Sequence, residues 1–241
     1  ALALSGGEPS GPRTPAGLPG LPPPLFGVAL VGSGATLAAV DAYGNVVDLR
    51  PRPAAPARLA VDPRRQRAGT AAPAEALLAR ARLGAEPQPL WRAAAVRQRY
   101  LPGTSVLLTE ARSGGRAAIV GLAARDGLRR CIAVGPPGAV GSLWRRRCLR
   151  GPIGAAARAD RRRLARARAP GAGAPAWARR LHERSLLVLL ALTDRRSGAV
   201  AAGAREGWAY VWPRDAGAAA LAFAAAGLRA EVRRVARLLS R

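Results

Sequence analysis

Short apolar runs broken by turn residues fill the first part of the chain, and longer segments with helical spacing fill the last part. From Phe26 the segment FGVALVGSGATLAAVDAYGNVVDL sets such runs against Gly32-Ser33-Gly34 and Ala42-Tyr43-Gly44-Asn45, which predicts a β-meander. A second β-rich block runs from about Trp91 to Val134. In it RQRYLPGTSVLLTEA and RAAIVGLA flank Ser113-Gly114-Gly115, a turn able to take positive φ, so a hairpin is expected there. Between the blocks, Pro51 to Pro89 is rich in Arg, Ala and Pro and reads as irregular, with at most a weak helical turn or two over Ala74 to Leu83.

Pro170 to Pro175 marks the clearest boundary, after which the apolar period changes from two to about 3.6. Pro175 suits a first helical position, and Leu181, Leu187, Val188 and Leu190 form an apolar stripe on a helix ending at Thr193-Asp194. A second helix is expected from Arg214 to Ala226, ended by Gly227. A third, Arg229 to Leu239, sets Val232, Val235, Ala236 and Leu239 against Arg233, Arg234 and Arg237. Three such helices do not bury their apolar faces alone, so they read as the start of a larger all-α domain. The expected organisation is a Pro/Gly-rich tail over 1–25, a β-sandwich domain over 26–169, a linker over 170–175 and a helical domain from 176 to 241.

At 241 residues with 49% hydrophobic side chains, the chain is long enough for real cores. Its formal charge of +25 would suit a polyanion, but all 39 basic residues are Arg, and Ala, Gly and Pro crowd every row. That is the mark of biased codon supply, and the basic stretches lack the interleaved aromatics that stack on bases, so no specific nucleic-acid partner is expected. The dense Arg run from Arg145 to Arg168 reads as a solvated face, with a strand-and-helix edge or a partner-binding patch as alternatives.

Cys131 and Cys148 could form one disulfide or remain two small buried thiols, and neither has metal-ligand spacing with His182. No metal or other cofactor is expected. The longest apolar run, Leu186 to Leu192, is too short to span a bilayer, and ALALSGG lacks the charged and apolar regions of an intact signal peptide. The absence of Met, even at position 1, reads as a chain that begins within a longer reading frame or after processing. Compartment and oligomeric state stay open.

The line REGWAYVWPRDAGAAALAFAAAG carries the chemistry. A pyranose offers an apolar C–H face that an indole can cover, and a rim of hydroxyls needing fixed donors and acceptors. Trp208, Tyr210 and Trp212 supply the aromatic surface, Arg214 a donor fork and Asp215 an acceptor. The competing reading is that Asp215 caps the helix, Arg214 pairs with it or with Glu206, and the tryptophans are core.

WAYVWPRDA, preceded by ERSLLVLLALTDRRSGAV, resembles glycoside hydrolase family 15, the glucoamylase-like enzymes. LVGSGATLAAVDAYGNVVDL and QRYLPGTSVLLTEA are similar to that family's early strand segments, although Leu49-Arg50-Pro51 stands where many members have an aromatic. The resemblance implies an antiparallel β-supersandwich followed by the first helices of an (α/α)6 barrel. It also implies that Trp212, Arg214 and Asp215 grip the terminal glucose of an α-glucoside oligosaccharide or disaccharide. Cleavage with inversion would fall to two Glu residues roughly 6.5 to 9.5 Å apart. Those are expected beyond Arg241, since neither Glu183 nor Glu206 matches a family catalytic position. Two alternatives remain: an Arg-rich module for a polyanion or nucleic acid, and a carbohydrate-binding remnant without catalytic acids. The linkage preference is left open by all three.

Overall fold

The computed structural model describes residues 29–60, 77–204 and 208–240. The tail expected over 1–25, the middle of the Pro51–Pro89 segment and Glu206 lie outside them.

Antiparallel strands come first and helices follow. The meander forms as expected, with β1 (Ala29–Gly32), β2 (Leu37–Val40) and β3 (Val46–Arg50) pairing in order and a short β4 (Leu59–Ala60) joining the edge. The β2–β3 turn is held by Asp41, whose Oδ1 accepts from the backbone N–H groups of Tyr43 and Asn45, both at 2.8 Å. Asn45 in turn accepts from Ala79 N–H at 2.7 Å, fastening the turn to the segment beyond. That segment is extended from Leu77, where a bridge to Val46 precedes the two-stranded pair β5 (Arg80–Ala81) and β6 (Gln88–Pro89). The weak helical turn considered for Ala74 to Leu83 is therefore absent from its described part, because this backbone pairs with a strand.

The second block builds a four-stranded sheet from β7 (Ala95–Tyr100), β8 (Leu107–Ser113), β9 (Arg116–Ala124) and β10 (Leu128–Gly135), in spatial order β10-β9-β8-β7. Gly114 and Gly115 turn the β8–β9 hairpin with φ of 54° and 73°. Central strand β9 is buried on both sides, and its alternation divides two cores. Leu122 and Ala124 meet Val31, Ala38 and Val40 of the first sheet, while Ile119 and Ala123 face helices.

Those helices correct the sequence reading. The Arg145–Arg168 run holds no strand, as the strand-and-helix alternative would have required, and falls mostly in α1 (Val140–Cys148) and α2 (Pro152–Leu164), so the chain turns helical ahead of the Pro170–Pro175 link. Their inner faces carry Val140, Trp144, Cys148, Ile153, Ala156 and Ala157, and most of their arginines point outward, as a solvated face would. Trp144 is 1% exposed and lies on Gly121, where any side chain on the strand would collide with its ring. Cys131 and Cys148 form a disulfide joining β10 to the end of α1.

After the link, α3 (Ala176–Leu192), α4 (Pro213–Ala225) and α5 (Arg229–Leu239) match the three expected helices to within a residue or two, with Pro175 just before α3 rather than inside it. Leu186, Leu190, Phe223, Leu228 and Val235 make their shared core. Leu181 is exposed, so the buried stripe of α3 begins only at Leu186. No helix among the described residues is long and apolar enough to cross a membrane.

The disulfide closes a loop with a sequence separation of 17, which constrains the unfolded chain by about 3 kcal/mol. Thermal denaturation of the Cys131→Ala/Cys148→Ala double variant should show a melting temperature lowered by roughly 5 to 12 °C; an unchanged value would sink the expectation. Asp41 sets a second one, because burial pushes its carboxyl up to about 6 despite the hydrogen bonds from Asn45 and Tyr43. A carboxyl raised above its unfolded value of 3.8 favours folding below that pH, and the contribution fades as pH rises through about 6. Urea denaturation from pH 4 to 7 should show a fall larger by about 3 kcal/mol in the chain than in Asp41→Asn, where the Asp160 carboxyl, also raised by burial, still titrates; parallel profiles would refute it.

Candidate functional site

The residues singled out for sugar recognition stand on an arch between α3 and α4. Helix α3 stops because Thr193 is extended and the buried Asp194 carboxylate accepts from the N–H groups of Arg196 at 2.7 Å and Ser197 at 3.1 Å, turning the chain. Gly198 follows with φ of +80°. Any side chain there would run into the Arg234 carbonyl of α5, so the turn is seated directly on that helix. Bridges from Thr193 to Val200 and from Ala201 to Val211, with Ala202 N–H donating to Tyr210 O at 2.9 Å, bring residues 208–212 back beside 200–202. Trp212 is extended, and Pro213 opens α4 where its missing N–H is no loss.

Trp208, Tyr210 and Trp212 are 68%, 59% and 51% exposed. Arg214 is exposed and Asp215 half-buried in the first turn of α4, where the helix dipole favours its charge. Neither has a hydrogen bond or ion pair with another described side chain. Trp212 occupies the position before the helix and no side chain caps it. Both tryptophans are thus outside any core and Asp215 is not a cap, while Glu206 lies outside the described residues. What the arch presents is an open aromatic surface beside one donor fork and one carboxylate. Glu183 is on the exposed side of α3, as expected of a helix-surface residue. No cluster of three or more His, Cys, Asp or Glu able to hold a metal occurs among the described residues.

One feature escapes sequence reasoning. Arg163 and Arg166 near the end of α2, Arg195 after α3, and Arg234 with Glu231 on α5 line a cleft of about 240 Å³ floored by Leu190. A second lobe of about 300 Å³ shares most of this lining and adds Arg229. Burial holds the Arg195 guanidinium below its ordinary value, and Arg125 and Arg234 act in the same sense against the pull of Asp126 and Asp160. Its buried Nε has no hydrogen-bond partner. These residues come from three separate helical segments in an Arg-rich chain, so nothing in their local sequence marks them out.

Exposure separates the arch from the core energetically. Trp208→Ala and Trp212→Ala should each change stability by less than about 0.5 kcal/mol, whereas Trp144→Ala should cost about 3–5 kcal/mol. Denaturant midpoints for the three variants check this, and a large loss at Trp212 would make it a packing residue. No protein-family model, curated protein or solved structure matches the chain.

Proposed function

We propose that the arch recognises the terminal glucose of an α-glucoside, as part of a glucoamylase-like glycoside hydrolase. On this reading the paired sheets correspond to a β-supersandwich, and α3 to α5 open an (α/α)6 barrel. The observation that carries the proposal is the exposure of Trp208, Tyr210 and Trp212 beside Arg214 and Asp215, two polar side chains left without protein partners among the described residues. Exposed indoles are unfavourable unless something covers them, and a sugar's C–H face does so while its hydroxyls engage a guanidinium and a carboxylate. Arg214 would donate to two vicinal hydroxyls and Asp215 would accept from one of them. A glucose epimer would leave part of this pair unsatisfied.

Bond cleavage is not assigned to these residues. The inverting reaction needs one carboxyl to protonate the leaving oxygen and a second to activate water on the opposite face. Asp215 serves here as a hydroxyl acceptor.

Titration with maltose, isomaltose and trehalose, followed by tryptophan fluorescence, tests the reading. At least one should bind saturably, and Trp212→Ala, Arg214→Ala or Asp215→Asn should weaken it roughly tenfold or more. The affinity should hardly respond to salt, whereas binding of a polyanion through the Arg-rich surface would fall steeply. The chain by itself should not turn over these sugars above a blank. Failure of all three to bind would refute the recognition site, and clear turnover would refute the assignment of cleavage to other residues.

A further inference from the structure

We propose that the cleft between α2, the end of α3 and α5 is a binding site for a small phosphate group, distinct from the aromatic arch. Five arginines and one carboxylate define it: Arg163, Arg166, Arg195, Arg229, Arg234 and Glu231. Glu231 is committed to Arg234 at 2.8 Å, and Arg163 spends one Nη2–H on Ser33 O at 3.2 Å. The guanidinium groups of Arg166 and Arg229 have no partner among the described residues. Several cations converge on one concavity with a single carboxylate to offset them. Such an arrangement is unfavourable when empty and is relieved by a multiply charged anion.

Arg195 adds an observation independent of the charge count. Its Nε is buried, lacks a hydrogen-bond partner, and belongs to a side chain that lines the cleft. The backbone on either side is fixed, since Arg195 N–H donates to Gly34 O at 3.0 Å and Gly198 sits against α5. The side chain of Arg195 lines the cleft, and the planar guanidinium fork matches phosphate geometry. Asp126 and Asp160 also attract Arg195, but Asp126 pairs with Arg125 at 3.7 Å and Asp160 accepts from Ser105 N–H at 2.7 Å.

Size limits the ligand. The two lobes, about 240 and 300 Å³, lie at or below the lower end of the range of about 300–1,000 Å³ usual for ligand pockets. Inorganic phosphate or the terminal group of a small phosphate monoester fits that space.

Isothermal titration of the whole chain with inorganic phosphate and with methyl phosphate, at constant ionic strength, tests the site. At least one should bind saturably, and the ratio of the two affinities tells the free ion from an ester's terminal group. Arg166→Ala and Arg229→Ala, at exposed positions that carry no packing, should each weaken binding roughly tenfold. Glu231→Gln should tighten it by freeing Arg234. Arg129→Ala, an exposed arginine on β10, should leave it unchanged and so separates the cleft from the general positive charge. Saturable binding of neither ligand, or equal weakening by Arg129→Ala and Arg166→Ala, would overturn the proposal.

Discussion

The last three helices and the arch take their place from one close approach, that of the end of β1 to the end of α3. A Cβ at Gly32 would lie 2.6 Å from the Ala191 Cβ, so strand and helix meet at a separation only a glycine permits. Gly34 O then accepts from Arg195 N–H, binding the residue after the helix to the turn that follows β1. Around this point Tyr100 Oη donates to Leu30 O and accepts from Leu30 N–H, each at 2.9 Å, while the Arg184 guanidinium lies 3.6 Å above the Tyr100 ring. Sheet, meander and helix are thus tied together within a few residues. The arch that follows inherits its position from that junction, and so does the guanidinium of Arg195.

Much of this arrangement was legible in the sequence wherever one local signal dominates. The β8–β9 hairpin follows from two apolar runs around Ser113-Gly114-Gly115, and α5 from apolar spacings of three and four between charged positions. Helices α1 and α2 were not legible for a physical reason. The positions α2 buries beyond Ile153 are Gly154, Ala156, Ala157 and Asp160, and α1 is a short helix that buries only Val140, Trp144 and Cys148, so neither shows the long run of large apolar residues that marks α3. Their arginines draw the eye as a charge run before the small residues between them are read as a buried face. Leu181 fails in the opposite way, an apolar residue whose part of α3 has no neighbour to cover it.

The candidate residues divide along the same line. The residue types in WAYVWPRDA announce a polar and aromatic surface, and the turn at Asp194 together with Gly198 explains why that surface faces outward. The basic cleft is a tertiary product, assembled from residues far apart in the chain and indistinguishable in sequence from the many arginines that simply face water. In a protein whose cations are all Arg, abundance conceals the few that converge, and only their shared place along one cleft tells them apart.

The bond between Cys131 and Cys148 bears on how the sheet comes apart. Strand β10 is an outermost strand, held by a ladder on one side only, and such strands are where sheets begin to fray and where foreign strands can add. By clipping β10 to a helix whose Trp144 is wedged over β9, the disulfide gives the strand a second anchor that does not depend on its own ladder. Peeling β10 away therefore requires α1 to leave with it, so the outer edge and the helical layer beneath it open as one cooperative unit rather than strand by strand.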